Sequence, residues 1–290
     1  MKTPKLLLII CIVLMLASCS KEPVKVEVKT GTVALKLLHT IDGNVFQKDV
    51  LLYQNRAGNQ YQVSNIQWFL SDIELVNSDG IVVKIVKGDG VFYIDTDLHE
   101  TCSVLLEDLP AGNYNAVKFT FGLNEEKNTS YRFVNPPESF MFWPDYLGGG
   151  YHYMKLNGKW MNTMGQLAPY NFHLGIGQNY YQKSSGLAHY FEFGSADSYA
   201  HCEGFNPPYT LPDVSSFVQN YFEVSQDLDF SIVSGSESSI NVEMQIEKWF
   251  EGNPPYNHDD WGGSIMQQQQ AQDIARINGQ KVFRFSNENQ

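Results

Sequence analysis

Ile73-Glu74-Leu75-Val76-Asn77-Ser78-Asp79-Gly80-Ile81-Val82-Val83-Lys84-Ile85-Val86-Lys87-Gly88-Asp89-Gly90-Val91-Phe92-Tyr93-Ile94 is the stretch that decides the fold. Three short runs rich in β-branched and aromatic residues are separated by two Asp-Gly pairs. Asp-Gly between such runs is a strong local hairpin signal, because both residues tolerate the positive φ of a tight turn. The pattern continues outward. Upstream, Val33 to Leu38 reads as a first strand, stopped by His39 and the Asp42-Gly43-Asn44 turn. Leu51 to Tyr53 leads through Arg56-Ala57-Gly58-Asn59 into Tyr61 to Leu70. Downstream, Leu109 to Tyr114 turns into Val117-Lys118-Phe119-Thr120-Phe121, with Val117, Phe119 and Phe121 on one face.

Further strands are expected at Tyr151 to Leu156, Tyr170 to Leu174, Ala188 to Phe193, Leu228 to Val233 and Ile240 to Ile246. One short C-terminal helix is expected from Ser264, as its cap, to the Asn278-Gly279 stop. Residues 124–150 contain Pro136-Pro137, Pro144 and Gly148-Gly149-Gly150, and read as a long loop over the sheet. The expected class is all-β, an antiparallel sandwich or distorted barrel with a short C-terminal helix. No linker divides the chain, so 32–290 reads as a single domain.

The N-terminus reads as an address rather than a fold. Lys2 and Lys5 precede the uncharged run Leu6 to Ala17, and Leu16-Ala17-Ser18-Cys19 fits a lipobox. A run of about a dozen apolar residues falls short of the roughly 20 needed to span a bilayer. Residues 1–18 therefore read as a lipoprotein signal peptide, Cys19 as the lipidated residue and 19–31 as a tether. The expected location is extracytoplasmic: anchored by lipid to a bacterial membrane, the outer membrane favoured, on its periplasmic or surface face.

Removing residues 1–18 takes away Lys2 and Lys5 and no acid, leaving 18 basic against 32 acidic residues, a net charge of −14. That argues against nucleic acid as a partner, whose phosphates call for a basic patch. Beyond Cys11 and Cys19 only Cys102 and Cys202 remain. They are candidates for a disulfide in an oxidising compartment, with two unpaired thiols as the competing reading.

No Gly-x-Ser-x-Gly, phosphate-cradling loop, His-Glu-x-x-His or Cys-x-x-Cys occurs, which speaks against an enzyme. Histidines stand out instead. His39 closes the first strand and His173 lies in Asn171-Phe172-His173-Leu174-Gly175, so two imidazoles at strand ends are candidate ligands for a transition metal. His152, between Tyr151 and Tyr153, points opposite to both tyrosines. His201-Cys202 is a second soft pair. Phe140-Met141-Phe142-Trp143 reads as a hydrophobic plug beneath the long loop. His99, His189 and His258 carry no usable signal.

An ordered set of segments resembles one family. The segments are Leu37-Leu38-His39 with Asp42-Gly43, Tyr61 to Ile73, Leu109 to Gly122 and Met141-Phe142-Trp143. Then come Gly150 to Gly158, Asn171 to Gly175, Glu247-Lys248-Trp249-Phe250 and Asn278 to Phe283. Together, over Thr32 to Phe285, they resemble the MbnP-like family of periplasmic copper-associated proteins, many of them Bacteroidetes-type lipoproteins. The resemblance implies a compact β protein and copper as cofactor. It implies His39 and His173 as imidazole ligands, and Trp143 as a candidate for oxidation to a kynurenine by a diheme partner of the MauG type. Water, His152 or a modified Trp143 are the candidates for a third ligand. Where the family usually carries a second tryptophan, two residues after Trp143, this chain has Asp145. A metal-free surface module binding a ligand or glycan is the competing reading.

Overall fold

The computed structural model describes residues 29–181 and 214–287. Its strands are β1 (Thr30–Ile41), β2 (Asn44–Val45), β3 (Tyr53–Gln54), β4 (Gln60–Asn77), β5 (Val82–Lys84), β6 (Val91–Asp95), β7 (Ser103–Pro110), β8 (Gly112–Phe121), β9 (Met154–Met161), β10 (Leu167–Leu174), β11 (Gly177–Tyr180), β12 (Val214–Val218), β13 (Phe222–Ile232), β14 (Glu237–Gln245) and β15 (Phe283–Asn287). The helices are α1 (His258–Trp261) and α2 (Gln269–Gly279). The first sheet runs β15-β14-β1-β2, with β7 also on β1; the second runs β10-β9-β4-β8-β13, with β3, β5 and β6 also on β4. The two sheets pack as a sandwich, not a closed barrel. All pairings within it are antiparallel except β1 with β14, where Thr32 to Thr40 run parallel to Glu237 to Gln245. β11 and β12 form a separate two-stranded ribbon.

Alternation explains the core. In β1 the side chains of Val33, Leu35, Leu37 and His39 all point inward and are buried. Facing them, Trp68 of β4 packs on Phe119 and Phe121 of its own sheet and on Phe283 of the other, with centroids 6.3, 5.9 and 5.4 Å away. Such aromatic pairs add about 0.5–1.5 kcal/mol each beyond their burial.

β4 organises the second sheet. Its residues Tyr61 to Trp68 pair with β9, and Leu70 to Asn77 pair with β8. At the junction the Phe69 N–H donates to the Tyr153 carbonyl and the Phe69 carbonyl accepts from Gly122 N–H. The chain from Gly122 to Tyr153 leaves the sheet there, as the Pro- and Gly-rich composition of 124–150 led us to expect.

Of the two Asp-Gly turns expected, the first makes a hairpin; the second, Gly88-Asp89-Gly90, joins β5 to β6, which both pair with β4 and not with each other. Ser78-Asp79-Gly80 turns β4 into β5, and Asn77 Oδ1 accepts from the backbone of Asp79 and Ile81. Three local expectations shift. The strand expected from Tyr151 begins at Met154, because His152 N–H is taken by the Met141 carbonyl rather than by a sheet neighbour. The C-terminal helix begins at Gln269 and not at Ser264, which instead bridges to Asn171 at the β10 edge. His39 does not end its strand, since β1 runs on to Ile41. The strand expected at Ala188 to Phe193, the signal peptide and Cys19 lie outside the described residues. Among the described residues, no helix is long and apolar enough to cross a membrane.

Candidate metal centre

Register separates the two histidines that the sequence reading joined. Trp68, Met154 and Leu174 are cross-strand partners, and so are Gln67, Lys155 and His173. Partners share a face and neighbours alternate, so His173 points away from Trp68, onto the outer face of the second sheet. His39 points into the sandwich, where the Trp68 indole N–H donates to its Nε2 at 3.0 Å. That bond uses the imidazole lone pair. His39 is a core hydrogen-bond acceptor here, and burial lowers its pKa to about 4. The pairing of His39 with His173 is corrected accordingly.

The structure brings His173 to His152 instead. Their ring centroids lie 5.0 Å apart at 85°. Both are buried. His152 is delivered by the 122–153 loop, in which Met141-Phe142-Trp143 lies back against Gly150-Tyr151-His152. Trp143 N–H donates to the Gly150 carbonyl and His152 N–H to the Met141 carbonyl. The return needs glycine: Gly148, Gly149 and Gly150 take φ of 114°, 69° and 80°, which any side chain would strain. Asp145 anchors this loop by accepting from Ser130 Oγ and Tyr131 Oη.

The tautomers follow from the partners. His152 Nδ1 lies 2.9 Å from the Met141 carbonyl, which only accepts, so Nδ1 carries the proton and Nε2 the lone pair. His173 Nε2 lies 2.7 Å from Asn157 Oδ1, and Asn157 Nδ2 donates onward to Asn65 Oδ1. His173 Nε2 therefore carries the proton, leaving Nδ1 as the lone-pair nitrogen. That Nδ1 is buried without a hydrogen-bond partner. Burial pushes the His173 pKa down to about 3, helped by the Lys155 charge, and takes His152 well below its ordinary value for the same reasons. Both rings are neutral bases at pH 7.

Trp143 completes the cluster. Its indole meets His152 edge-on at 4.7 Å and donates to the Leu147 carbonyl at 3.2 Å. A Cβ on Gly175 would sit 2.6 Å from the Trp143 ring, so Gly175, two residues beyond His173, makes room for the indole. Gly175→Ala is expected to displace Trp143 and cost about 1–3 kcal/mol by overpacking. Urea unfolding checks the value, and unchanged stability would show that the ring has slack.

The donor set fits a transition ion in part. Two unprotonated nitrogens on adjacent, desolvated rings are the kind of donors a transition ion takes, at metal–nitrogen distances of about 2 Å. Among the described residues, no group of three or more His, Cys, Asp or Glu side chains is placed to hold a metal. The Cys102 Sγ contacts the Asp95 carbonyl at 3.6 Å and has no disulfide partner among the described residues. Cys202, with His201, lies outside them. Asn157, Asn65 and Lys155 belong to the site and escaped the sequence reading. The signal was present only as Lys155 and Asn157 sharing a face, and it means nothing until β10 is laid beside β9. A β-bulge is also needed: Val63 pairs with Gly158 and Asn65 with Asn157, leaving Ser64 extra and turning Asn65 outward.

His258 proves informative after all. It is fully buried among Tyr61, Trp160, Tyr170, Phe250 and Tyr256, with neither ring nitrogen partnered, and burial lowers its pKa to about 3. Away from the histidine pair, a polar cleft of about 680 Å³ is lined by Asp72, Glu74, Lys84, Asp89, Lys127 and Arg132 among others. Six of its charges are paired, as Lys127–Asp72, Lys84–Glu74 and Arg132–Asp89.

Comparison with known proteins agrees with this architecture. No curated protein matches the chain. Among solved structures, MbnP from Methylosinus trichosporium superposes with a TM-score of 0.53 over 90% of this chain and 100% of that one, at 14% identity, which shows a shared fold. The MbnP family model matches residues 30–267, most of the chain. On that match, the chain belongs to the MbnP family.

Proposed function

We propose that this protein is a non-enzymatic, extracytoplasmic copper-binding lipoprotein whose ion is held by His152 Nε2 and His173 Nδ1, beside Trp143. The observation that carries the reading is the His173 Nδ1 lone pair, buried without a partner and set against a second neutral imidazole 5.0 Å away. A buried polar atom left unsatisfied costs about 1–3 kcal/mol, and a bound ion would recover it. Imidazole suits copper, and copper(II) leads the divalent first-row series in intrinsic affinity. The copper association of the MbnP family supports the same cofactor. Monovalent copper is the favoured state, because two neutral ligands supply no charge to balance a second positive one. Lipidation at Cys19 supplies the anchor to the membrane. Trp143 is the residue assigned to oxidation by a diheme partner of the MauG type, and an oxidised Trp143 is the third ligand in this reading.

The test is copper stoichiometry and affinity of protein purified without chelator, for wild type and for His152→Ala, His173→Ala and His39→Ala. Wild type is expected to bind one ion. Loss of His152 or His173 is expected to weaken binding by roughly a hundredfold or more, at least the effect typical of outer-shell changes. His39→Ala is expected to keep the ion and lose stability instead. If His173→Ala binds as tightly as wild type, the site is wrong. If His39→Ala loses copper as His173→Ala does, the pairing first drawn from the sequence returns. If wild type binds none at micromolar copper, the metal-free reading replaces this one, with Tyr131, Phe140 and Tyr146 as its exposed aromatic contacts. An intact mass equal to the unmodified sequence would remove the oxidised Trp143.

A further inference from the structure

We propose that Lys155 is a charge filter for the histidine pair, its ammonium group disfavouring a doubly charged ion there more than a singly charged one. The proposal rests on the copper reading of His152 and His173 and extends it to which ions the pair admits.

Lys155 is the cross-strand partner of His173, so the two side chains project from the same face of the sheet. The Lys155 Nζ donates to the Phe140 carbonyl at 2.7 Å. Phe140 immediately precedes Met141, whose carbonyl orients His152. The ammonium is thus fastened to the loop that holds one imidazole while its strand position adjoins the other. The groups shown to touch the two rings are uncharged: the Met141 carbonyl, the Asn157 amide and the Trp143 indole.

The Coulomb energy between the ammonium and a bound ion scales with the ion's charge. Screened by solvent, a single neighbouring charge changes affinity on the order of tenfold per unit of ion charge. A monovalent ion is then weakened about tenfold and a divalent ion about a hundredfold. The direction holds whatever else the ammonium contacts, because removing one positive charge lowers the local potential in any company. An acidic protein of this kind attracts all cations from a distance, so discrimination by charge has to be local.

The test compares copper(I), held reduced under anaerobic conditions, with zinc(II), each titrated against a competing chelator. The proteins are wild type, Lys155→Gln, Lys155→Arg and His173→Ala, each checked for folding by circular dichroism. Lys155→Gln keeps a donor for the Phe140 carbonyl and loses the charge; Lys155→Arg keeps the charge. The expected result is a gain for Lys155→Gln of about tenfold for copper(I) and about a hundredfold for zinc(II), with Lys155→Arg close to wild type. Equal gains for the two ions, or none, overturn the charge filter while leaving the copper site in place. If Lys155→Arg moves with Lys155→Gln, the effect is structural and the filter is wrong. If no protein binds either ion, or His173→Ala changes nothing, the metal reading fails and the filter falls with it.

Discussion

Acidifying the metal-free protein from pH 7 to pH 5 is expected to remove up to about 8 kcal/mol of folding stability, about 2 kcal/mol for each of four buried histidines. His39, His152, His173 and His258 are all held neutral by burial, with pKa values of about 4 for His39 and about 3 for His173 and His258, and well below 6.5 for His152. The sign follows from proton counting. Below 6.5 the unfolded chain binds protons at these positions and the folded chain does not, so stability is intact above 6.5 and is lost as pH falls toward 4. The slope is about 1.4 kcal/mol per pH unit per histidine. Against a usual total of 5–15 kcal/mol, four such groups bring the domain close to unfolding near pH 5. Urea melts at pH 7, 6 and 5 measure it. A midpoint unchanged over that range would mean that the histidines are protonated in the fold or open to water. His258→Phe, which fills an aromatic box with another ring, is expected to cut the slope by about a quarter.

Gly158→Ala is expected to destabilise by about 4 kcal/mol or more, a large share of a usual total of about 5–15 kcal/mol. Gly158 lies opposite Val63 of β4 on one side and Tyr170 of β10 on the other. Tyr170 crosses over the glycine so that its hydroxyl donates to the Gln62 carbonyl at 3.0 Å. An added Cβ would run into that carbonyl oxygen and lie 2.5 Å from Tyr170 Oη. Either the tyrosine swings away, leaving a buried acceptor unpaired at about 1–3 kcal/mol, or the strands part. The strain of overpacking adds about 1–3 kcal/mol. The same shift would move Asn157, the next residue, and with it the proton on His173 Nε2. Equilibrium unfolding and solubility report the loss. Wild-type stability for Gly158→Ala would mean that β4 and β9 have room that the structure does not show.

The strand content and the sandwich were legible because they rest on local chemistry. Val33, Leu35 and Leu37 recur at every second position of a run of strand formers, and Asp79-Gly80 makes a turn in almost any context. Even the inward direction of His39 was written in that alternation, since it continues the series of buried odd-numbered residues. The same rule placed His173 on the face opposite Phe172 and Leu174. What it could not say is that the His39 face looks into the sandwich while the His173 face is the outer one of the second sheet. The MbnP resemblance likewise reached the family and the copper expectation without fixing which histidines meet.

Those were tertiary decisions. β1 pairs with β14, two hundred residues later and in parallel, and no local signal marks that choice. The extra residue at Ser64 reverses the phase of β4, so that Asn65 reaches Asn157 on the outside while Val63 stays in the core. His152 was drawn in a strand and arrives on a loop, set against His173 by glycines and by Met141. By itself the sequence determined the elements and their buried faces, because hydrophobic alternation and turn chemistry act over a few residues. Only the folded structure decided which imidazoles share a pocket and which nitrogen each one leaves unprotonated, because register and hydrogen-bond partners are set by strands far apart in the chain.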